Sequence, residues 1–271
     1  MDKSVRMWNA ATGASIRVIK DRPIQCCELV VLNNNMVVGG SLDGQINIMN
    51  LSTGKSVANS RISGNMVKCL TLSEEGGVIF LGDEAGNLHV YSLNQMNMSL
   101  GKIVKLAVTS KSSPITGMSY TPQFSRDKRE PCLLVSGKDN HMRLYKVTDA
   151  VSHLAPPVAS NSKSDGAIGG NGIKLALKQV IPIKNQQSDC IQPCFSRNPS
   201  KSNTCTFASG SEDSLVHIYD LSTFQISAGA IDQQHQKLSG HSCTVLSVAF
   251  NWDKSLIVSG DAQGTIRVWK K

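Results

Sequence analysis

The residues able to do chemistry are few and scattered. Thr53-Gly54-Lys55-Ser56 has the ending of a phosphate-binding loop, in which glycine backbone and lysine cradle phosphate oxygens. The first glycine of that motif falls on Met49, and the segment joins two strand-like runs, so no helix N-terminus is offered to an anion. It reads as a hairpin turn. Among six histidines, His89 and His217 occupy matched positions two residues before Tyr91 and Tyr219 and read as packing residues between repeated units, while His153 and His235 fall in loops. The acidic pairs Asp83-Glu84 and Glu212-Asp213 lie in turns, and no GxSxG, HExxH or paired-carboxylate motif stands out. Of eight cysteines, Cys27, Cys69, Cys132, Cys205 and Cys243 sit in or beside apolar runs, where a thiol behaves as a small hydrophobe. Cys190 and Cys194 are four apart with no histidine at ligand spacing, and structural zinc needs four ligands. The expectation is no catalytic residue, no metal and no cofactor. Free thiols are expected over disulfides, because the chain is large and its N-terminus lacks an apolar export segment.

The elements that would position these residues come from a repeat. A small or apolar run, a glycine, a polar turn and an alternating run ending at a large side chain recur at 37–51, 79–93, 134–147, 207–221 and 257–271, and a truncated copy opens the chain. The end positions are Trp8, Met49, Tyr91, Tyr145, Tyr219 and Trp269, spaced 41, 42, 54, 74 and 50 residues apart. The two shortest spacings fall within a period of about 40–45 residues, and the others read as that period plus insertions.

Within each copy the period is two. In Gln45-Ile46-Asn47-Ile48-Met49 and Thr265-Ile266-Arg267-Val268-Trp269 polar and apolar residues alternate, as in a strand with one face against a core. Asp43-Gly44 is a hairpin-turn signal, because glycine accepts positive φ. A short apolar run precedes each copy (CCELVVL, VKCLTL, ITGMSY, CIQPCF, TVLSVAF) and a weaker one follows, which makes four strands per unit and the blade of a β-propeller. No convincing helix is visible, and no run nears the ~18 apolar residues of a membrane helix. The expected division of the single region 1–271 is into pieces of about 1–22, 23–63, 64–107, 108–184, 185–238 and 239–271.

The last unit, GHSCTVLSVAFNWDKSLIVSGDAQGTIRVW, resembles a WD repeat. In that family a loop His, a Ser or Thr of the second strand, an Asp of the turn and a Trp of the third strand hydrogen-bond together. His241, Ser259 and Trp269 match, and Gln263 stands at the position expected for the Asp. Ser209 and Asp213 match in the preceding unit, with Tyr219 for the Trp and no Gly-His before them; Asp43 matches in an earlier unit, where Met49 replaces the Trp. The network is therefore expected to be incomplete in every unit, with blades relying on apolar packing. Trp252-Asp253 falls in the turn between the first two strands, away from the family's named Trp-Asp position. The resemblance, closest to a nuclear regulatory member of the family, implies an all-β, WD-repeat β-propeller of seven blades, nuclear with a possible cytoplasmic pool, and a scaffold role without catalysis.

Asp2–Trp8 already aligns with the turn and third strand of a blade, and the chain stops at the third strand of another. The expectation is an incomplete part of a seven-bladed ring, five blades plus a remnant, with a self-sufficient six-bladed ring as the alternative. Insertions at 122–131, 148–173, 196–203 and 222–236 all read as first-to-second or third-to-fourth loops, which emerge on one face. The net charge is +8, and residues 101–200 carry 14 Lys/Arg against 6 Asp/Glu while both flanking regions balance. Arg126, Lys128, Arg129, Lys163, Arg197 and Lys201 in these loops are the candidate partner-binding residues, attracting acidic or chromatin-associated proteins, with nucleic acid as the alternative partner. The same loops also read as solvated spacers, most of all the Gly-, Ser-, Ala- and Pro-rich 148–173. Neither a membrane nor a small-molecule substrate is expected.

Overall fold

A computed structural model describes residues 3–20, 22–30, 35–73, 77–122, 130–149, 172–188, 190–196, 205–220 and 235–270. These form twenty-one strands and one 3₁₀ turn, Ser110–Ser112. No helix among the described residues is long and apolar enough to cross a membrane. The chain divides into two compact units, Met1–Ile115 and Thr116–Lys271.

The first unit holds three antiparallel sheets. β1 (Val5–Trp8) pairs with β2 (Ser15–Ile19). β3 (Ile24–Leu29), β4 (Met36–Ser41), β5 (Gln45–Asn50) and β6 (Ser56–Arg61) form a four-stranded meander. β7 (Val67–Leu72), β8 (Val78–Asp83), β9 (Asn87–Asn94) and β10 (Ser99–Ala107) form another. Alternation along β5 sends Ile46 and Ile48 to one side, where they cluster with Val67, Ile79 and Tyr91, and Met49 to the other, where it meets Val5, Ile19 and Ile24. Each fully buried Ile or Leu here contributes on the order of 1.5–3 kcal/mol of transfer free energy.

The second unit repeats the plan. β11 (Ile115–Thr121), β12 (Cys132–Gly137), β13 (His141–Asp149) and β14 (Ile173–Pro182) make one four-stranded sheet. β15 (Cys194–Phe195), β16 (Thr206–Ser209), β17 (Leu215–Asp220) and β18 (His235–Ser239) make the next, and β19 (Val245–Phe250), β20 (Leu256–Asp261) and β21 (Ile266–Lys270) a three-stranded one. Phe195, Phe207, Tyr219 and His235 stand in one cross-strand row over β15–β18. The Phe207 and Tyr219 rings stack at 4.7 Å, and this row packs on Leu134, Met142 and Leu144 of the sheet before it. The fold is all-β, with the consecutive four-stranded sheets of WD-repeat propeller blades.

The insertions fall where four strands per sheet require: 123–129 join β11 to β12, 150–171 join β13 to β14, 197–204 join β15 to β16, and 221–234 join β17 to β18. Arg126, Lys128, Arg129, Lys163, Arg197 and Lys201 lie outside the described residues. The described ends of two of these connections meet: the Thr121 side chain hydrogen-bonds Cys205, and Thr206 N–H donates to Ser196 Oγ.

Candidate functional site

The chemistry-bearing side chains gather at the tight turns between second and third strands. Each turn needs one residue with positive φ, supplied by Gly44, Gly86, Asn140, Ser214 and Gly264 in successive sheets. A carboxylate in or beside the turn then binds it to the third strand. In the last sheet the arrangement is a relay. Trp269 Nε1–H donates to Ser259 Oγ at 2.8 Å, Ser259 Oγ lies 2.7 Å from His241 Nε2, and His241 Nδ1 lies 2.8 Å from Asp261 Oδ2. Since a carboxylate only accepts, His241 carries its proton on Nδ1; Nε2 then accepts from Ser259, whose oxygen accepts from the indole. Asp261 Oδ1 also takes the backbone N–H groups of Gln263 and Thr265 at 3.0 and 2.9 Å.

This corrects the sequence expectation of an incomplete network. The acid comes from Asp261, the residue after the strand's glycine, and Gln263 offers only its backbone N–H. The physical reason is register: Asp261 is the last residue of β20 and pairs with Val245, which brings its carboxylate to the loop that carries His241. Desolvation raises the Asp261 carboxyl, but hydrogen bonds from His241, from the Thr265 and Gln263 amides and from Cys243 outweigh it and hold it at about 2.

The other turns reach the same end with different residues. Asp83 accepts from Asn87 N–H at 2.7 Å and meets His89 Nε2 at 2.9 Å in full burial. Asp139 receives Arg143 in two-pronged fashion, at 3.1 and 2.5 Å. Asp213 meets His217 Nε2 at 3.0 Å and accepts Leu215 N–H at 3.2 Å. Asp43 accepts from Ser41 Oγ and, at 2.8 Å, from Gln45 Nε2. Ser209 is buried and donates to the Gly210 carbonyl at 2.9 Å, so Ser209 and Asp213 serve separate bonds. His89 and His217, expected to pack between units, instead clamp the turn acid of their own sheet. Glu212 goes further afield: one oxygen accepts the successive N–H groups of Gln186, Gln187 and Ser188 at 3.0, 2.6 and 2.7 Å and ties the connection ahead of β15 to the β16–β17 turn.

Ser259, His241 and Asp261 have the bond order of a hydrolase triad. Their surroundings give them a different job. Ser259 is 1% exposed, and its oxygen is enclosed within the sheet and held by the indole N–H of Trp269. The three side chains act as a buried brace joining a loop, two strands and a turn.

Four of the thiols are held away from nucleophilic chemistry. Desolvation pushes Cys26 and Cys132 up to about 12, Cys205 up to about 11 and Cys69 well above its ordinary value, so they stay protonated. Cys27 is exposed, contrary to its place in an apolar run, because β3 alternates and Cys26 takes the inward position. Among the described residues no three His, Cys, Asp or Glu side chains gather into a metal-binding group. Trp252 stands exposed on the β19–β20 turn, away from the Ser259–Trp269 pair.

Comparison with known proteins follows this geometry. Along 99% of its length the chain is similar, at 26% identity, to the serine-threonine kinase receptor-associated protein of Dictyostelium discoideum, covering 73% of that protein. Residues 232–270 match the family described as WD domain, G-beta repeat, so the segment that carries the family signature is the one whose sheet holds the complete Trp–Ser–His–Asp brace.

Proposed function

We propose that this protein is a non-enzymatic scaffold of the WD-repeat kind that binds protein partners, in a nuclear regulatory complex. The observation that carries the reading is the fate of the polar side chains: the Ser259–His241–Asp261 relay is capped by Trp269, and Asp83, Asp139 and Asp213 are each bonded to their own sheet. The chemistry is taken up in stiffening turns, and a stiffened all-β frame is what a set of recognition loops requires. The Dictyostelium relative is named for association with a kinase receptor; only the class of act, binding a protein, is carried over. The nuclear and regulatory parts rest on the likeness of MNLSTGKSV (49–57), LGDEAGN (81–87) and the final unit to WD repeat-containing protein 13.

The proposed binding side is the edge of the second unit where 123–129, 150–171, 197–204 and 221–234 leave their sheets, with Arg126, Lys128, Arg129, Lys163, Arg197 and Lys201 selecting acidic partners. Pull-down with the full chain and with versions shortened in 122–131 and 148–173 tests it: loss of specific partners is expected, and an unchanged partner set refutes the assignment. The basic excess of 101–200 favours one second reading, a nucleic-acid surface. Affinity for duplex DNA that falls linearly on a log–log salt plot, with a slope of about −0.9 per phosphate contacted, would select that reading over the first.

A further inference from the structure

One residue of the second unit breaks a rule kept elsewhere in the chain. In four sheets the turn after the second strand sends a backbone N–H to the connection leading into the first: Leu42 to Pro23 O, Glu84 to Met66 O, Glu212 to Lys184 O and Ala262 to Thr244 O. The residue after each acceptor is buried, and it is Ile24, Val67 and Val245 in three cases but Asn185 in the other. Val67 and Val245 lie against a second-strand glycine of the preceding sheet: a methyl group added at Gly40 would stand 2.9 Å from Val67 Cβ, and one at Gly210 3.0 Å from Val245 Cγ1. Asn185 also reaches a second-strand glycine, its Nδ2 lying 3.3 Å from Gly137 O, but it brings an amide where the others bring methyl groups.

Asn185 is 0% exposed and stands in a polar cluster. Its Nδ2 donates to Thr116 Oγ1 at 2.9 Å and to the Gly137 carbonyl. Thr116 Oγ1 in turn lies 3.3 Å from Ser136 O, Ser136 Oγ and Ile191 O, and Thr116, Ser136 and Ile191 are all buried. Gly117 lets the Ile191 carbonyl in, since a methyl group there would stand 2.5 Å from that oxygen. The Gly137 carbonyl can only accept, so it fixes which end of the amide faces it: the nitrogen. Asn185 Oδ1 is turned away and, among the described residues, no donor reaches it. A buried acceptor left without a donor is costly, and an amide oxygen cannot escape the cost by changing its protonation.

We propose that Asn185 Oδ1 binds a single buried water, which takes the place that an apolar plug fills at Val67 and Val245. The water donates one hydrogen to Oδ1, and the carbonyl oxygens gathered around Thr116 and Asn185 offer acceptors for the other. Internal waters serve such groups, with about three hydrogen bonds each. A metal cation is a poorer occupant, because the Nδ2 protons already point into the oxygen cluster. The site gives this junction bonds with direction, where the valines give contact alone. Asn185 N–H donates to Asn140 Oδ1 at 2.9 Å, and the chain then runs through Gln186, Gln187 and Ser188, held by Glu212, before β15 begins. The water thus fixes the root of that connection. This inference concerns the frame and does not depend on the scaffold reading, which concerns the loops.

Crystals of the full chain and of Asn185→Val carry the test. The wild type should show an ordered oxygen peak about 2.7–3.0 Å from Asn185 Oδ1. Asn185→Val, which installs the side chain found at positions 67 and 245, should lose it. In solution, rotating-frame cross-relaxation between water and the Asn185 side-chain amide protons should report the same site in the wild type. It should persist in Thr116→Val, which removes the nearest hydroxyl proton able to imitate a bound water by exchange. Far-UV circular dichroism checks that both variants fold, and the wild-type measurements stand without them. A wild-type crystal with no peak at Oδ1, a peak that stays in Asn185→Val, or cross-relaxation that vanishes in folded Thr116→Val overturns the proposal. So does a wild-type thermal midpoint that follows Na⁺ or K⁺ at constant ionic strength, the mark of a cation.

Discussion

Replacing Ser259 by Ala removes the one oxygen that both the indole of Trp269 and the imidazole of His241 use. The substitution changes almost no apolar volume, so its cost is polar. It strands the Trp269 N–H and the His241 Nε2 lone pair in a site where Ser259 is 1% and His241 9% exposed. Each buried group left without a partner costs about 1–3 kcal/mol, and partial water entry brings the pair to about 2–4 kcal/mol. Trp269→Phe removes the donor together with part of the ring that packs beside Ala208 and Val216, and leaves Ser259 bonded to His241, at about 2–3 kcal/mol. Because both substitutions delete the same 2.8 Å bond, the double variant should fall short of the sum by at least about 0.5 kcal/mol. Urea unfolding followed by far-UV circular dichroism reads these values, with unchanged m confirming that the unfolded state is not the source. A Ser259→Ala loss under about 0.5 kcal/mol, or additivity within about 0.3 kcal/mol, refutes the brace.

Acid should loosen the same site. The Asp261 carboxyl is held at about 2 in the folded chain, below its ordinary 3.8, so its stabilisation is complete above the unfolded value and disappears as pH falls through about 2. Asp261→Asn should therefore flatten the decline of the urea midpoint between neutral and acid pH, and an unaltered profile argues against it; Asp83 and Asp213, also lowered, keep some of the slope. Glu212→Ala should speed amide exchange at Gln186, Gln187 and Ser188 by about tenfold without altering β19–β21, as measured by hydrogen exchange with mass spectrometry. Ser214 sits at φ 64° where three of the other turns use glycine, and Ser214→Gly should raise stability by about 0.5 kcal/mol, the relief of left-handed strain less the entropy glycine loses on folding; a thermal midpoint that fails to rise contradicts this.

The strand content was legible because it depends on neighbours in sequence. Alternation in 45–49 and 265–269, Gly44 and Gly264 in the turns, and Trp8, Met49, Tyr91, Tyr145, Tyr219 and Trp269 at the strand ends all express a period of two closed by a turn. His241, Ser259 and Trp269 were legible as members of a network by their resemblance to a known repeat. Asp261 was missed, although the signal was there: an acid directly after the strand's glycine, shared with Asp83. Reading the turn at one fixed position hid it.

What the sequence by itself determined is the kind of building block, since local backbone preference and side-chain alternation are decided within a few residues. Only the tertiary structure decided which polar atoms meet. Loop residue 241, strand residues 259 and 269 and turn residue 261 come within hydrogen-bond reach once three strands are in register, and that register is set by apolar packing across whole sheets. The same long-range packing decided that Cys26 faces inward and Cys27 outward, and that His217 clamps Asp213.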